Sequence, residues 1–432
     1  MDAVIAAGGA GTRLSSLYKN TPKALVKIGT KPIIEHQIIF LRNQGIKKIH
    51  LLLGHLGDKI ESYLGDGKKW GVTLCYHYEQ VPLGRTGALK AIERELPKDF
   101  LFLSGDIMMN FDLRKFIAWH EQKKDALSSL VVQPTNHMFD SDLVEADGDY
   151  RVTNLRLRPH AQNAHFQNLA SASISILSPK IFQYIPTEIK TDFEKDILPL
   201  ALHDKQPIYA YRTSEYFRDM GTPPRLMQVK RDYTSGKVRK LNSQYKRKAV
   251  FLDRDGVINE EVGQLCSIKD FSLYGFAGKA IKKLNDAGYL VIVATNQPTI
   301  AKGFMKEQDL TLIHKRMETE LGSFGAKIDR IYYCPHHPEK GFAGEVPELK
   351  IKCLCRKPGI GLITKASEDF NIDVRKSFFI GDTTVDAKTA EAAGIKFLGV
   401  KTGYGLRDNK FPSSKNLKIY KNVLHAVNNI LA

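Results

Sequence analysis

Short apolar runs that end in glycine or a carboxylate recur along this chain, separated by stretches with helical spacing. Residues 2–7, Asp-Ala-Val-Ile-Ala-Ala, read as a buried strand running into Gly8-Gly9-Ala10-Gly11. Lys31-Pro32-Ile33-Ile34 leads into a helix, residues 47–53 read as a strand, and Leu101-Phe102-Leu103-Ser104-Gly105-Asp106 as another that ends in a carboxylate. In the second half Val250-Phe251-Leu252 runs into Asp253-Arg254-Asp255-Gly256, a helix over residues 278–287 feeds a strand over 290–294, and Ile380-Gly381-Asp382 closes a further strand. Runs without polar alternation mark strands buried on both faces. In this half, strand–helix–strand order with polar groups at the strand C-termini predicts a doubly wound parallel sheet. Between the halves, residues 231–247 lose the helical pattern and collect Gly, Ser and basic side chains, the composition of a linker. The predicted organisation is a domain over 1–230, a basic linker over 231–247 and a second domain over 248–432.

Bulk properties narrow the classes. A chain of 432 residues, 43% hydrophobic and 26% charged, holds two or three globular domains. No apolar run approaches membrane-spanning length, and the N-terminus lacks the basic start and cleavage-like site of a signal peptide, so a cytoplasmic location with no membrane partner is expected. The net charge of +17 comes from scattered Lys and Arg, concentrated only over residues 230–248 and not interleaved with aromatics. That pattern points to sites for anionic small molecules rather than to nucleic acid. Five cysteines, an odd number without an export signal, argue against disulfides.

Three local patterns carry chemistry. Asp253 and Asp255 alternate at a strand end, so they need not converge. One suits a nucleophile on phosphorus, the other an acid and base from the following loop, with a hard cation beside them. Arg13 lies inside the first Gly-rich turn and Lys23 follows ten residues on. Two cations brought to one such loop call for an anion between them. Cys334-Pro335-His336 and Cys353-Leu354-Cys355 supply four ligands for tetrahedral structural Zn²⁺, with His337 outside the set. Zinc there would fix the loop that continues into Arg356 and Lys357.

Gly8-Gly9-Ala10-Gly11-Thr12-Arg13-Leu14 followed by Pro22-Lys23 resembles the signature of the nucleotidyltransferases that make nucleoside-diphosphate sugars, close to the mannose-1-phosphate guanylyltransferase branch. Leu83-Gly84-Arg85-Thr86-Gly87-Ala88-Leu89 resembles their base-contacting loop, and the segments at Asp106, Phe193-Glu194 and Arg218-Asp219 follow in the family's order. The resemblance covers residues 1–230. It implies a Rossmann-like domain with a mixed sheet. It also implies substrate contacts at Gly8, Gly9, Gly11, Thr12, Gly84, Gly87 and Glu194, with Arg13 and Lys23 on the triphosphate and Mg²⁺ on Asp106 and Asp219. Arg158 stands where the family carries the lysine of Glu-Lys-Pro, without its Glu. Arg85-Thr86 replaces Thr-Ala, and Asn168-Leu169-Ala170 replaces Asn-x-Gly. These departures cluster where sugar and base are chosen.

The second half resembles the haloacid-dehalogenase (HAD) phosphatases. Asp253-x-Asp255-Gly256 looks like their first motif, Thr295-Asn296-Gln297 their second, Arg356-Lys357-Pro358 their third, and Gly381-Asp382 through Asp386 their fourth. The resemblance implies a HAD-like doubly wound sheet with a zinc loop. It puts phosphate on Thr295, Asn296, Arg356 and Lys357, and Mg²⁺ on Asp253, Asp255 and Asp382. The Cys-Pro-His-His-Pro and Cys-x-Cys elements are similar to one subgroup, the heptose 1,7-bisphosphate 7-phosphatases and histidinol-phosphate phosphatases. Pro298-Thr299 and Gly275–Gly278 depart from that subgroup. Fusion favours the heptose: removal of its 7-phosphate leaves a 1-phosphate for the transferase. The expectation is a bifunctional enzyme using GTP and sugar phosphates, with Mg²⁺ in both domains and Zn²⁺ in the second, toward GDP-D-glycero-α-D-manno-heptose. Homo-oligomerisation is left open. The alternative is a hexose (mannose) 1-phosphate transferase fused to a phosphatase for an ester such as histidinol phosphate. A non-catalytic regulatory protein is expected to lose Arg13, Lys23, Asp106 or Asp219, and all four are present.

Overall fold

The computed structural model describes residues 1–9, 14, 18, 20–161, 163–412 and 417–432. The chain forms two compact units: Met1–Gln133 with Asp142–Leu157 and Leu169–Asn242, and Pro134–Ser141 with Arg158–Asn168 and Ser243–Ala432.

In the first unit a nine-stranded mixed sheet runs Val152–Arg156, Leu143–Ala146, Ala170–Leu177, Phe100–Ser104, Ala3–Ala6, Lys48–Leu53, Thr73–Tyr78, with Ser128–Gln133 and Ile208–Arg212 joined to Ala170–Leu177 off that path. Ala3–Ala6 lies parallel between Lys48–Leu53 and Phe100–Ser104, with Ala6 level with Leu52 and Ser104. Strand Ala3–Ala6 is apolar on both faces because both are covered. Ile5, Ile38 and Leu51 pack in one cluster and Val4, Leu52 and Phe102 in another. These strands therefore end together, and Gly8, Gly54 and Ser104 gather at one rim. A separate antiparallel pair, Ile107–Asn110 with Tyr216–Asp219, sets Asp219 opposite Ile107.

The stretch read as a linker is ordered in large part as helix, carrying the end of helix Pro223–Thr234 and the one-turn helix Lys237–Lys240. Leu226, Val229 and Val238 are buried among Val26, Ile28 and Tyr216, with Leu241 packed against them. Those apolar positions are spaced too widely among basic residues to stand out as a periodic run.

The second unit is built on a six-stranded parallel sheet in the order Arg330–Cys334, Leu290–Asn296, Ala249–Leu252, Phe378–Gly381, Lys396–Val400, Ile419–Tyr420. Its first strand in sequence, Ala249–Leu252, lies beside Phe378–Gly381, and the winding reverses between them. In doubly wound sheets this reversal opens a crevice at the strand C-termini. Helices Ala277–Asp286, Glu307–Ser323 and Val423–Leu431 pack on one face through Ile281, Leu284, Ile313, Met317 and Val427. Leu362, Ile363 and Ala366 of helix Gly361–Phe370 pack on the other. Within the same unit the Phe166 N–H donates to Thr319 Oγ1 at 2.8 Å and the Asn168 N–H to Glu318 Oε2 at 3.1 Å. Among the described residues no helix is long and apolar enough to cross a membrane.

Candidate active sites

At the strand rim of the first unit lies a cavity of about 460 Å³ lined by Gly8, Gly9, Glu79, Gly84, Arg85 and Lys190. A second of about 210 Å³, sharing Gly9 and Arg85, is lined by Lys23, Ser104, Asp106 and Gly221. Gly8 abuts the Glu79 carboxylate, which accepts the Leu83 N–H at 2.7 Å. The expected base loop is a helix, Gly84–Lys90. Its glycines serve close packing. Gly84 has φ +74°, and a Cβ there would meet the Thr191 carbonyl at 2.5 Å. One at Gly87 would meet Ile189 O at 2.6 Å. Arg85 donates to Asp192 at 2.9 Å and ion-pairs with Glu194, so the residue that departs from the family pattern anchors Glu194.

Asp106 is paired with Lys23 and accepts the Ser104 hydroxyl at 2.7 Å. Burial alone would raise its pKa, yet Lys23, Ser104 and Arg85 hold it below the ordinary carboxylate value. The Met220 N–H donates to the Asp106 carbonyl at 3.1 Å, which ties the Asp219 strand end to Asp106. The Asp219 carboxylate accepts from Arg225 at 3.0 and 3.1 Å and from the Gly221 N–H at 2.9 Å. Gly11, Thr12 and Arg13 lie outside the described residues. Arg158 belongs to the second unit, in its 158–168 segment.

In the second unit Asp253 and Asp382 stand at the tips of the two strands that flank the winding reversal. Carboxylate oxygens of Asp253, Asp382 and Asp386 lie within 4.8 Å of one another. Lys357 Nζ bridges Asp253 at 2.8 Å and Asp386 at 2.6 Å. Asp382 accepts the Tyr404 N–H at 2.8 Å through Oδ2, while its Oδ1 is buried with no hydrogen-bond partner among the described residues. Burial first, then the neighbouring carboxylates, push Asp253 up to about 7 and Asp382 up to about 9. Three carboxylates around one ammonium, with an orphaned buried oxygen, form a donor set that fits a hard divalent cation. Gly256, at φ +76°, lets the backbone pass against the Asp382 carboxylate where a Cβ would collide with it.

Asp255, expected among the metal carboxylates, faces elsewhere. It accepts from Arg254 at 2.9 Å, Asn259 at 2.9 Å and Gln297 at 3.0 Å. Burial would raise its pKa, but Arg254 and these hydrogen bonds hold it low and ionised. The reason is that the chain leaves the strand after Leu252, so strand alternation no longer sets these side chains. Arg254 between the two aspartates is fully buried and turns toward Asp255 and His314. Asp386 stands in the carboxylate cluster instead. Its Oδ2 receives the Thr383 N–H at the start of helix Thr384–Ala392, and its Oδ1 receives Lys357. A Thr-x-x-Asp spacing at a helix start was the available sequence signal. Thr295 is buried and takes a hydrogen bond from Gln297 at 2.9 Å. Asn296 exchanges two hydrogen bonds with the Lys357 backbone, at 2.9 and 3.0 Å, and so positions that lysine.

Cys334, His336, Cys353 and Cys355 converge. The sulfurs lie 3.2–3.5 Å apart, and His336 Nδ1 is 3.3 Å from Cys355 Sγ. These separations are far beyond a disulfide and close to the edges of a tetrahedron, about 3.5 Å or slightly longer, around an ion with ligands near 2.1–2.3 Å. The cluster is compatible with zinc. His337 hydrogen-bonds the Glu339 carbonyl at 3.3 Å. Arg356 Nη1 donates to the His336 carbonyl at 3.2 Å, fastening that cation to the cluster.

The nucleotidyl transferase family profile matches residues 2–236 and a HAD-hydrolase-like profile residues 354–425. The chain is 44% identical over 151 residues to a D-glycero-beta-D-manno-heptose-1,7-bisphosphate 7-phosphatase of Haemophilus ducreyi, covering 35% of this chain and 80% of that protein. It is 42% identical to a D-glycero-alpha-D-manno-heptose-1,7-bisphosphate 7-phosphatase of Photorhabdus laumondii, over 37% of this chain and 85% of that one. Among solved structures, HddC from Yersinia pseudotuberculosis is 27% identical, with 54% of this chain and 99% of that chain covered and a TM-score of 0.47. From residue 2 to 236 the chain thus belongs to the nucleotidyl transferase family, and behind that domain it carries a HAD-like domain of the heptose-bisphosphate 7-phosphatase family.

Proposed function

We propose that the chain catalyses two successive steps of nucleotide-sugar synthesis. The second domain removes the 7-phosphate of D-glycero-D-manno-heptose 1,7-bisphosphate. The first transfers GMP from GTP to the heptose 1-phosphate, giving GDP-D-glycero-α-D-manno-heptose and pyrophosphate. The observation that carries this reading is the pairing in one chain. A domain 44% identical to a 7-phosphatase follows a nucleotidyl transferase domain. What the first reaction leaves, a sugar phosphorylated only at position 1, is what the second consumes.

In the phosphatase, Asp253 attacks phosphorus and forms an aspartyl phosphate as the sugar oxygen departs. Lys357 balances the negative charge, and Thr295 and Asn296 line the same strand end. Asp255 takes up a proton with the anionic substrate, gives it to the departing sugar oxygen, and then takes one back from the water that releases phosphate. Asp253, Asp382 and Asp386 would hold Mg²⁺, which would neutralise charge as nucleophile and phosphate meet. A second cationic group supports a bisphosphate. The Lys302 ammonium is held below its ordinary pKa first by burial, then by the nearby charges of Arg356, Lys350 and Lys410. Such crowded positive charge suits a second phosphate.

In the transferase, Lys23 and Arg13 meet the triphosphate and the charge that grows in the transition state. Asp106 and Asp219 supply carboxylates for Mg²⁺, once triphosphate oxygens compete for Lys23 and Arg225. The deciding experiment incubates the protein and Mg²⁺ with synthetic heptose 1,7-bisphosphate and each of the common nucleoside triphosphates, with products followed by mass. GDP-heptose formed with GTP is expected. An untouched bisphosphate, or faster use of mannose 1-phosphate than of heptose 1-phosphate, overturns the substrate assignment.

A further inference from the structure

Away from both carboxylate sites, two histidines and a glutamate meet on the first unit's sheet. Strands Lys48–Leu53 and Thr73–Tyr78 are parallel neighbours in which His50 pairs with Cys75 and Leu52 with His77. His50 and His77 therefore project from one face, one pleat repeat apart. Glu95 reaches them from the 3-10 turn Glu93–Glu95, which follows helix Gly84–Lys90. His50 Nδ1 is 3.0 Å from His77 Nε2 and 3.6 Å from Glu95 Oε2. His77 Nδ1 is 3.7 Å from Glu95 Oε1, and His50 Nε2 is 3.7 Å from Asp2 Oδ2. His50 is fully buried, and among the described residues its Nε2 has no hydrogen-bond partner.

A hydrogen bond between the two rings does not satisfy this arrangement. A neutral imidazole carries one N–H and one lone pair. If His50 donates through Nδ1, its Nε2 lone pair faces the Asp2 carboxylate. If His77 donates through Nε2 instead, its Nδ1 lone pair faces Glu95. Either way, one lone pair is aimed at an anion. Burial holds both imidazoles below their ordinary pKa, in the neutral form that binds metal. An ion between His50 Nδ1 and His77 Nε2 resolves both ends at once. It takes the two facing lone pairs, leaving an N–H at each outer nitrogen, and that of His50 points at the Asp2 carboxylate, the usual support of a metal-bound histidine.

We propose that His50, His77 and Glu95 form a binding site for zinc or a similar late first-row divalent ion, with Asp2 orienting His50. Two imidazoles and a carboxylate suit such ions. Ligand atoms at about 2.1 Å from one tetrahedral ion stand about 3.4 Å apart, near the spacing found here. The site lies behind the larger cavity. Leu52 and Glu79, each two residues along the chain beyond a ligand, line that cavity, as do Gly84 and Arg85 of the helix that Glu95 follows. The ion would fasten this helix to the sheet and stiffen the cavity wall.

The test uses the full chain with the zinc held by its cysteine cluster. Zinc uptake is measured by calorimetry in the presence of Mg²⁺, for wild type, Glu95→Gln and His77→Gln. Wild type is expected to take up one further equivalent. Both variants should bind it at least about tenfold more weakly while keeping the cysteine zinc. Copper(II) loaded in place of the added zinc should give a two-nitrogen EPR signal in wild type that His77→Gln reduces. Glu95 is 46% exposed, so its variant is expected to fold and decides the matter should His77→Gln not. No further equivalent in wild type, or unchanged uptake in Glu95→Gln, overturns the proposal.

Discussion

The two carboxylate sites of this chain balance charge in different ways. In the first unit Asp106 is paired with Lys23 and Asp219 with Arg225. In the second, Asp253, Asp382 and Asp386 crowd around Lys357. The first pair rests on basic side chains that an arriving triphosphate would attract away, so under the proposed function a metal site there would be completed by substrate. The second crowds three carboxylates around one ammonium in a buried crevice, where Asp253 and Asp382 hold protons that a divalent cation can displace before substrate arrives. The difference matches the chemistry proposed for each. A nucleoside triphosphate brings its own Mg²⁺, whereas a carboxylate nucleophile needs the cation in place to approach an anion.

The sharpest way to break this comparison is to remove the nucleophile. Asp253→Asn is expected to lower phosphate release by at least about a thousandfold, while nucleotide-sugar formation from a sugar 1-phosphate continues. Loss of both activities in a folded variant would show that the sites are not separate. Lys23→Ala and Asp106→Ala should act in the opposite sense, cutting transferase turnover by about a hundred- to a thousandfold and sparing phosphate release. Wild-type transferase rates in either would remove them from the chemistry.

A smaller effect is expected at the zinc cluster. Cys353→Ser should release the metal found by elemental analysis and lower phosphatase activity by about ten- to a hundredfold, because Arg356 and Lys357 follow the cluster directly. The transferase should keep its rate. Full phosphatase activity in a zinc-free protein would show that the cluster does not position those cations.

The mildest effect concerns pH. Asp253 is pushed up to about 7, and Asp382 is also raised, so the metal-free native state holds protons that the unfolded chain has released. The stability of the metal-free second domain should therefore fall as pH rises from about 4 through about 9. Mg²⁺ competes with those protons, so the rise in melting temperature on adding Mg²⁺ should be larger above pH 7 than below it. Equal rises on both sides would mean that these carboxylates are not its ligands.

Much of the architecture was legible in the sequence because local composition carries it. Val250-Phe251-Leu252 and Ala3-Val4-Ile5 are apolar without alternation, and each is buried on both faces. The cysteines and His336 are close enough along the chain that their convergence needs only two loops. The helix over Gly84–Lys90 was less legible. Glycine disfavours helix, and here the packing of residues 189–191 against Gly84 and Gly87 accompanies it. The ordered stretch after residue 231 was hidden for a related reason, since its apolar positions gain meaning only from the pocket around Val26 and Tyr216.

The division between the two sources of information is clearest at the phosphatase crevice. Sequence alone determined that a buried strand ends in Asp253 and Asp255 and that another ends in Asp382, because strand ends and turns are encoded over a few residues. It could not say which carboxylates share a cation. That depended on burial of Arg254, which draws Asp255 to its own side, and on the strand order that sets Ala249–Leu252 beside Phe378–Gly381. It also depended on the helix start that aims Asp386 at Lys357. The strand pairing joins segments more than a hundred residues apart, and only the packed sheet brings these charges close enough to repel, pair or bind metal.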